Sequence, residues 1–404
     1  MNICSILNYD FSRTLKLFIK NIGEILVLAY FFVGFLQNFP KLLIYSQIIG
    51  ILLILAILIT KSNGRHCFSP LIVMYGLFTL ISTLSCLIYG GEFSKSMLTM
   101  PYIFMAMIAC RKYAESGIFQ NSILANTLPF IVLILYGMNF DVSSGRYYSY
   151  FLNEAILGSL LPFSFATGAL LLWNWQFNWR AIILILPPTV FMYASSRRGM
   201  LIYFVCCMSA LCLIKLYEFK LERRNIFSLI IAGIFSIVMV NHMVDNQSQR
   251  FEEKFKLLEH AENVIKGTAK DVSSVERSNF IRIAITVAQE HVIGVGNGNF
   301  QNEYKKAISD GRTISNPHSG FAESLVIGGY PGLFLYLLML VYLLWLGRKS
   351  PIMLLCMIWM FLSIFIEISI ANRLIWPLMA IAERELYFGM NDNGKFLLKL
   401  PWQG

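Results

Sequence analysis

A chain of 404 residues that is 57% apolar, only 14% charged and has a mean hydropathy of +0.62 cannot fold as a soluble globule; lipid must solvate most of it. The formal charge of +10 is not a nucleic-acid footprint, because Lys and Arg gather in the cytoplasmic loops of membrane proteins. No nucleic-acid partner is expected.

Residues 1–21 are polar and basic, and no small-residue cleavage site follows the first apolar run, so no cleavable signal peptide is expected. Apolar windows of roughly spanning length then follow at 22–38, 42–60, 70–90, 97–110, 120–138, 154–173, 181–196, 199–215 and 226–242. A polar segment covers 241–320, and three more windows run over 321–346, 352–371 and 374–389. The expectation is an all-α polytopic membrane protein of about 12 transmembrane helices with one large, largely helical outer loop. Its three parts are 1–240 (spans one to nine), 241–320 (the loop) and 321–404 (spans ten to twelve and a tail).

Alternate loops carry most of the bases: Arg13, Lys16 and Lys20; Lys61 and Arg65; Arg111 and Lys112; Arg180; Lys215, Lys220, Arg223 and Arg224; Arg348 and Lys349; Lys395 and Lys399. The positive-inside rule places these loops and both termini in the cytoplasm and the long polar segment outside, in the periplasm of a double-membraned bacterium. Within that segment, 250–269 and 274–289 have helical apolar spacing, and Ser273 or Ser274 with Glu276 and Arg277 suits the start of the second helix. A glycine-rich turn, Gly294 to Asn299, follows. The eight cysteines lie in or beside apolar runs and read as small apolar fillers without disulfides.

The outward arginines carry the chemistry. Arg197 and Arg198 sit between two windows with almost no loop to solvate them, which is costly without a counter-charge. The plainer reading is interfacial snorkelling. Arg373 lies in the same kind of place between the last two windows, Arg146 in the turn 143–148, and Arg277 in the second loop helix. Guanidinium matches phosphate oxygens in pairs and stays charged, so arginines converging on one membrane face point to a phosphorylated lipid. His318 stands at the mouth of the tenth window, either as a general base or as an interfacial helix-start residue. Ser319 follows it, and Glu323, about one turn on, either orients the ring or caps the helix. Nothing has zinc-ligand spacing, and the glycine turn lacks the strand and βαβ unit of a dinucleotide site. No metal and no cofactor is expected.

His318-Ser319, nine residues, Gly329, two residues and Gly332 resembles the pattern of the O-antigen ligase and O-antigen polymerase superfamily, integral membrane glycosyltransferases of the GT-C type. Ser196-Arg197-Arg198-Gly199 resembles that family's Ser-Arg-Gly at the outer end of a helix. Arg277 followed by Gly294 to Phe300 resembles its outer-loop motif, and Gly145-Arg146 with Asn153 and Gly158 a weaker one. The resemblance implies a GT-C-like fold and metal-independent transfer of a glycan from an undecaprenyl-diphosphate carrier to an acceptor hydroxyl, on the periplasmic face of the inner membrane.

By that resemblance His318, Arg198 and Arg277 are catalytic. Arg197, Arg146, Arg373, Ser319 and Glu323 bind diphosphate or glycan. Partners are the carrier-linked glycan, a lipid A-core acceptor and membrane lipid. A ligase delivers the glycan to lipid A-core; a polymerase delivers it to another carrier-linked repeat unit. The placement of His318 and Arg198 favours the ligase, and Ser319, where many ligases carry Asn, leaves the polymerase as the alternative. A polysaccharide-lipid transporter is the rival from another class, although its charges would sit at mid-span in two similar halves.

Overall fold

The computed structural model describes residues 22–38, 42–59, 69–89, 98–114, 117–135, 160–173, 179–195, 272–299, 302–303, 319–348, 350–363 and 370–388, with scattered positions between 203 and 213. The described residues form helices and no strands. In chain order these are α1 (Ile22–Gly34, continued by a 3₁₀ turn Phe35–Asn38), α2 (Leu43–Ile59), α3 (Pro70–Ile88), α4 (Thr99–Lys112) and α5 (Ile118–Leu135). Then come α6 (Leu161–Trp173), α7 (Trp179–Ser195), α8 (Val272–Glu290), α9 (Gly320–Gly347), α10 (Pro351–Ser363) and α11 (Ile375–Phe388). The expected windows at 199–215 and 226–242, and the loop helix at 250–269, lie wholly or largely outside the described residues. The loop helix expected at 274–289 is α8, already helical at Val272, so its backbone takes in Ser273 and Ser274.

Among the described residues two helices, α3 and α9, are long and apolar enough to cross a membrane, and six shorter apolar helices accompany them. The pattern of exposure says what surrounds them. On α3 the outward stripe is Val73, Leu77, Leu80, Leu84 and Leu87, at alternating spacings of four and three, whereas Thr79, Ser82 and Ser85 face inward and are buried. On α9, Phe334, Leu337, Val341 and Leu344 make the same kind of exposed apolar stripe. Water would reject such faces and lipid accepts them. The chain is a helical membrane protein.

Ser69 caps α3 by accepting from the Ile72 amide at 3.3 Å, with Pro70 at the first helical position, where a missing N–H costs nothing. Elsewhere prolines interrupt helices, and neighbours make good the loss. Pro188, inside α7, cannot donate to Leu184, and the Ser164 hydroxyl of α6 donates to that carbonyl at 2.7 Å.

The helices alternate in direction, so polar groups collect at two ends. At one end α2 and α4 finish, α3 and α5 begin, and α11 finishes. Here Arg111, 4% exposed, donates to Glu383 at 2.9 Å. Glu383 also accepts from the Tyr342 hydroxyl at 2.7 Å, and Lys112 donates to the Leu58 carbonyl at 2.8 Å. Arg384 donates to the Arg111 and Lys112 carbonyls at the end of α4. Arg111 thus extends α4 past the expected window and is a buried, paired residue, not a loop arginine. At the opposite end lie the start of α9, the turn after α8, the close of α3 and the 370–374 turn. α9 packs against α3, α8 and α10, and α11 packs against α4.

Candidate functional site

The site is built on the first third of α9. Ser319 has extended backbone, and its hydroxyl accepts from the Ala322 amide at 3.2 Å, so it is the N-cap that starts the helix immediately after His318. The helix then breaks. Gly329 has φ 61° and ψ −157°, a conformation only glycine adopts readily. Two residues on, Pro331 has no N–H to give to the Ile327 carbonyl.

The turn after α8 repairs that break. The Val295 amide donates to Val326 at 2.9 Å and the Gly296 amide to Ile327 at 3.0 Å, while the Tyr330 amide turns away from its own helix to Val292 at 3.0 Å. Three backbone bonds therefore lock the glycine turn onto the opened helix. On its other side the turn meets α3. The Ser85 hydroxyl donates to Ile293 at 2.7 Å, and the Asn297 amide donates to the Ser82 hydroxyl at 3.3 Å. Space is minimal: a Cβ on Gly296 (φ 77°) would lie 2.5 Å from the Ser82 carbonyl, and one on Gly329 would collide with the Val292 carbonyl. The glycines after α8 and those of α9 are two halves of one joint.

Glu323 projects one turn inside the mouth and is 6% exposed. Its Oε2 accepts from the Ile370 amide at 2.9 Å, and Tyr75 donates to the carbonyl of the same residue at 3.0 Å. Glu323 thereby ties the mouth of α9 to the turn that carries Arg373. In that turn Asn372 accepts from the amides of Leu374 and Ile375 at 3.0 and 2.9 Å, capping α11. Tyr30 donates to the Arg373 carbonyl at 2.7 Å. The Arg373 guanidinium faces Gln47 of α2, Thr99 and the Tyr102 ring of α4. Burial lowers its pKa from the ordinary value, yet a guanidinium keeps its charge in a protein.

Of the residues expected to form the site, Ser319, Glu323 and Arg373 are thus placed at the same end of the bundle. Arg277 lies on α8, the helix leading into the joint. His318, Arg197, Arg198 and Arg146 lie outside the described residues. Among the described residues no three His, Cys, Asp or Glu side chains group as metal ligands. Sequence reasoning missed the break in α9, although Gly328-Gly329-Tyr330-Pro331-Gly332 carried the signal: two glycines and a proline inside an apolar run. It also missed the Glu323 bond to Ile370, which has no local sequence signature.

No curated protein matches the chain. Residues 181–337 match the family model described as O-antigen ligase, a stretch holding Arg197, Arg198, Arg277, the glycine turn, His318 and both α9 glycines, and this match supports the O-antigen ligase family for the chain.

Proposed function

We propose that the chain is a glycosyltransferase that moves a glycan from an undecaprenyl-diphosphate carrier to the lipid A-core oligosaccharide at the periplasmic face of the bacterial inner membrane. The observation that carries this reading is the joint between the α8 turn and α9. It fixes the turn that follows α8 against the first third of α9, both within the matched stretch. Preorganised positions of this kind are what transfer chemistry needs, because little catalysis is gained from groups that must first be ordered.

In this mechanism Arg198 and Arg277 pair with the carrier diphosphate and stabilise the charge that grows on it as the glycosidic bond to phosphate breaks. Arg197 and Arg146 extend the same anion field. His318 takes the proton of the acceptor hydroxyl as it attacks the anomeric carbon. Ser319 caps the start of α9, and Glu323 holds the neighbouring turn. The orientation is supported by Lys112 and Arg384, which gather at the end opposite the joint, where the basic loops are expected.

A polymerase that joins two carrier-linked repeat units is the second reading, favoured by Ser319 in place of asparagine. A reconstituted assay separates them. Purified protein with a carrier-linked glycan should glycosylate lipid A-core and not a second carrier-linked unit. Transfer to the carrier-linked unit alone would replace the ligase reading with the polymerase reading.

A further inference from the structure

The turn 370–374 is short, yet α1, α2, α3, α4 and α9 all hold it. Tyr30 of α1 donates to the Arg373 carbonyl at 2.7 Å, and Tyr75 of α3 donates to the Ile370 carbonyl at 3.0 Å. Glu323 of α9 accepts from the Ile370 amide at 2.9 Å. The Arg373 side chain reaches the remaining two helices. With the Gln47 amide of α2 oriented to suit its neighbours, its oxygen accepts from Nη1 at 2.7 Å and from Nη2 at 3.1 Å. On α4, Thr99 Oγ1 lies 3.5 Å from Nη2, and the Tyr102 ring centroid 5.7 Å from the guanidinium carbon.

The Nη1 and Nη2 pair is an edge by which a guanidinium meets phosphate, and here one amide oxygen occupies it. The space left beside it is about 10 Å³, room for about one water and not for a phosphate group. Close packing accounts for the rest. A Cβ on Gly50 of α2 would collide with the Tyr102 hydroxyl, and one on Gly34 at the end of α1 would collide with the Leu374 side chain. Glycine thus lets α2 approach α4, and α1 approach the turn, closely enough for Arg373 to bridge them.

We propose that Arg373 is a positioning residue and not a ligand of the carrier diphosphate. With Gln47 it clamps the 370–374 turn to α2 and α4, and the turn, through Ile370 and Glu323, holds the first turn of α9 that Ser319 caps. The consequence for turnover rests on the transferase reading, in which His318 directly precedes that cap in the sequence. Gln47 is the informative partner because it is neutral. A carboxylate in its place would tighten a clamp, whereas it would compete with phosphate for a guanidinium that binds substrate.

Two readouts on the full chain in detergent test this. The first needs no glycan: backbone hydrogen–deuterium exchange at 319–325. Arg373→Gln should speed exchange there about tenfold or more, and Gln47→Glu should leave it as slow as in wild type. The second is steady-state transfer from the carrier-linked glycan to lipid A-core. Arg373→Gln should lower kcat about tenfold or more, with KM for the donor within about twofold of wild type. Gln47→Glu should keep both constants, and it decides the matter even if Arg373→Gln fails to fold. Should wild type itself transfer nothing, the transferase reading fails and exchange alone decides the clamp. Wild-type exchange at 319–325 in Arg373→Gln overturns the inference. A donor KM raised about tenfold with kcat retained, in either variant, overturns it too, because that is the signature of a lost diphosphate contact.

Discussion

The amide of Gly296 donates to the carbonyl of Ile327 at 3.0 Å, the same carbonyl that Pro331 leaves without a donor inside α9. In lipid an unmet backbone carbonyl costs several kcal/mol, on the order of what a span can tolerate only if a neighbour answers it. The turn after α8 therefore does not merely rest on the bundle: it completes the hydrogen bonding of α9.

A methyl group at Gly296 should break that joint. The positive φ costs a substituted residue about 1–2 kcal/mol, and forcing Cβ against the Ser82 carbonyl adds about 1–3 kcal/mol. Gly296→Ala should lower the thermal midpoint in detergent and abolish transfer. Gly347→Ala, whose new Cβ would meet Met353 at an ordinary 3.4 Å, should change neither. Equal behaviour of the two variants would mean the turn is not held as described.

Arg111 and Glu383 should act as a unit. Removing one partner of a buried pair typically costs about 3–5 kcal/mol, whereas replacing both costs far less. Arg111→Met should be strongly destabilising. Arg111→Met with Glu383→Gln, which keeps an acceptor for Tyr342, should recover much of the loss. A double variant whose cost is the sum of the singles, measured by thermal or denaturant unfolding, would show that the pair is not coupled.

His318→Ala should eliminate transfer while leaving expression and membrane insertion unchanged, because its neighbour Ser319, not the imidazole, supplies the cap of α9. Arg198→Lys should also impair transfer, since an ammonium cannot reproduce paired contacts with a diphosphate. Wild-type turnover by well-expressed His318→Ala would remove the histidine from the mechanism, and full activity of Arg198→Lys would reduce that arginine to a snorkelling residue.

Most of the described helices of the bundle were legible in the sequence as long apolar runs, because lipid imposes a simple rule, while the windows expected at 199–215 and 226–242 lie largely outside the described residues. α8 was legible from its apolar spacing even though it lies outside the spans. What stayed hidden depends on contacts far apart in the chain. Glu323 meets Ile370 across 47 positions, and Arg111 meets Glu383 across 272. Arg111 read as an ordinary loop base for that reason. The break in α9 had a local signal in Pro331, but the apolar run around it reads as one continuous span unless the donor for Ile327 is sought elsewhere. The glycine turn at 294–299 was a weak signal alone and gains its meaning only from the helix it repairs.

The central claim is best tested on cells. In a strain lacking this gene, the surface lipopolysaccharide ladder is resolved on a gel and carrier-linked polymer is extracted from the membrane. Rough core without O-antigen, together with accumulated long carrier-linked polymer, is the predicted result for a ligase. Core that still receives single repeat units would assign the chain to polymerisation, and an unchanged ladder would contradict a role in O-antigen transfer altogether.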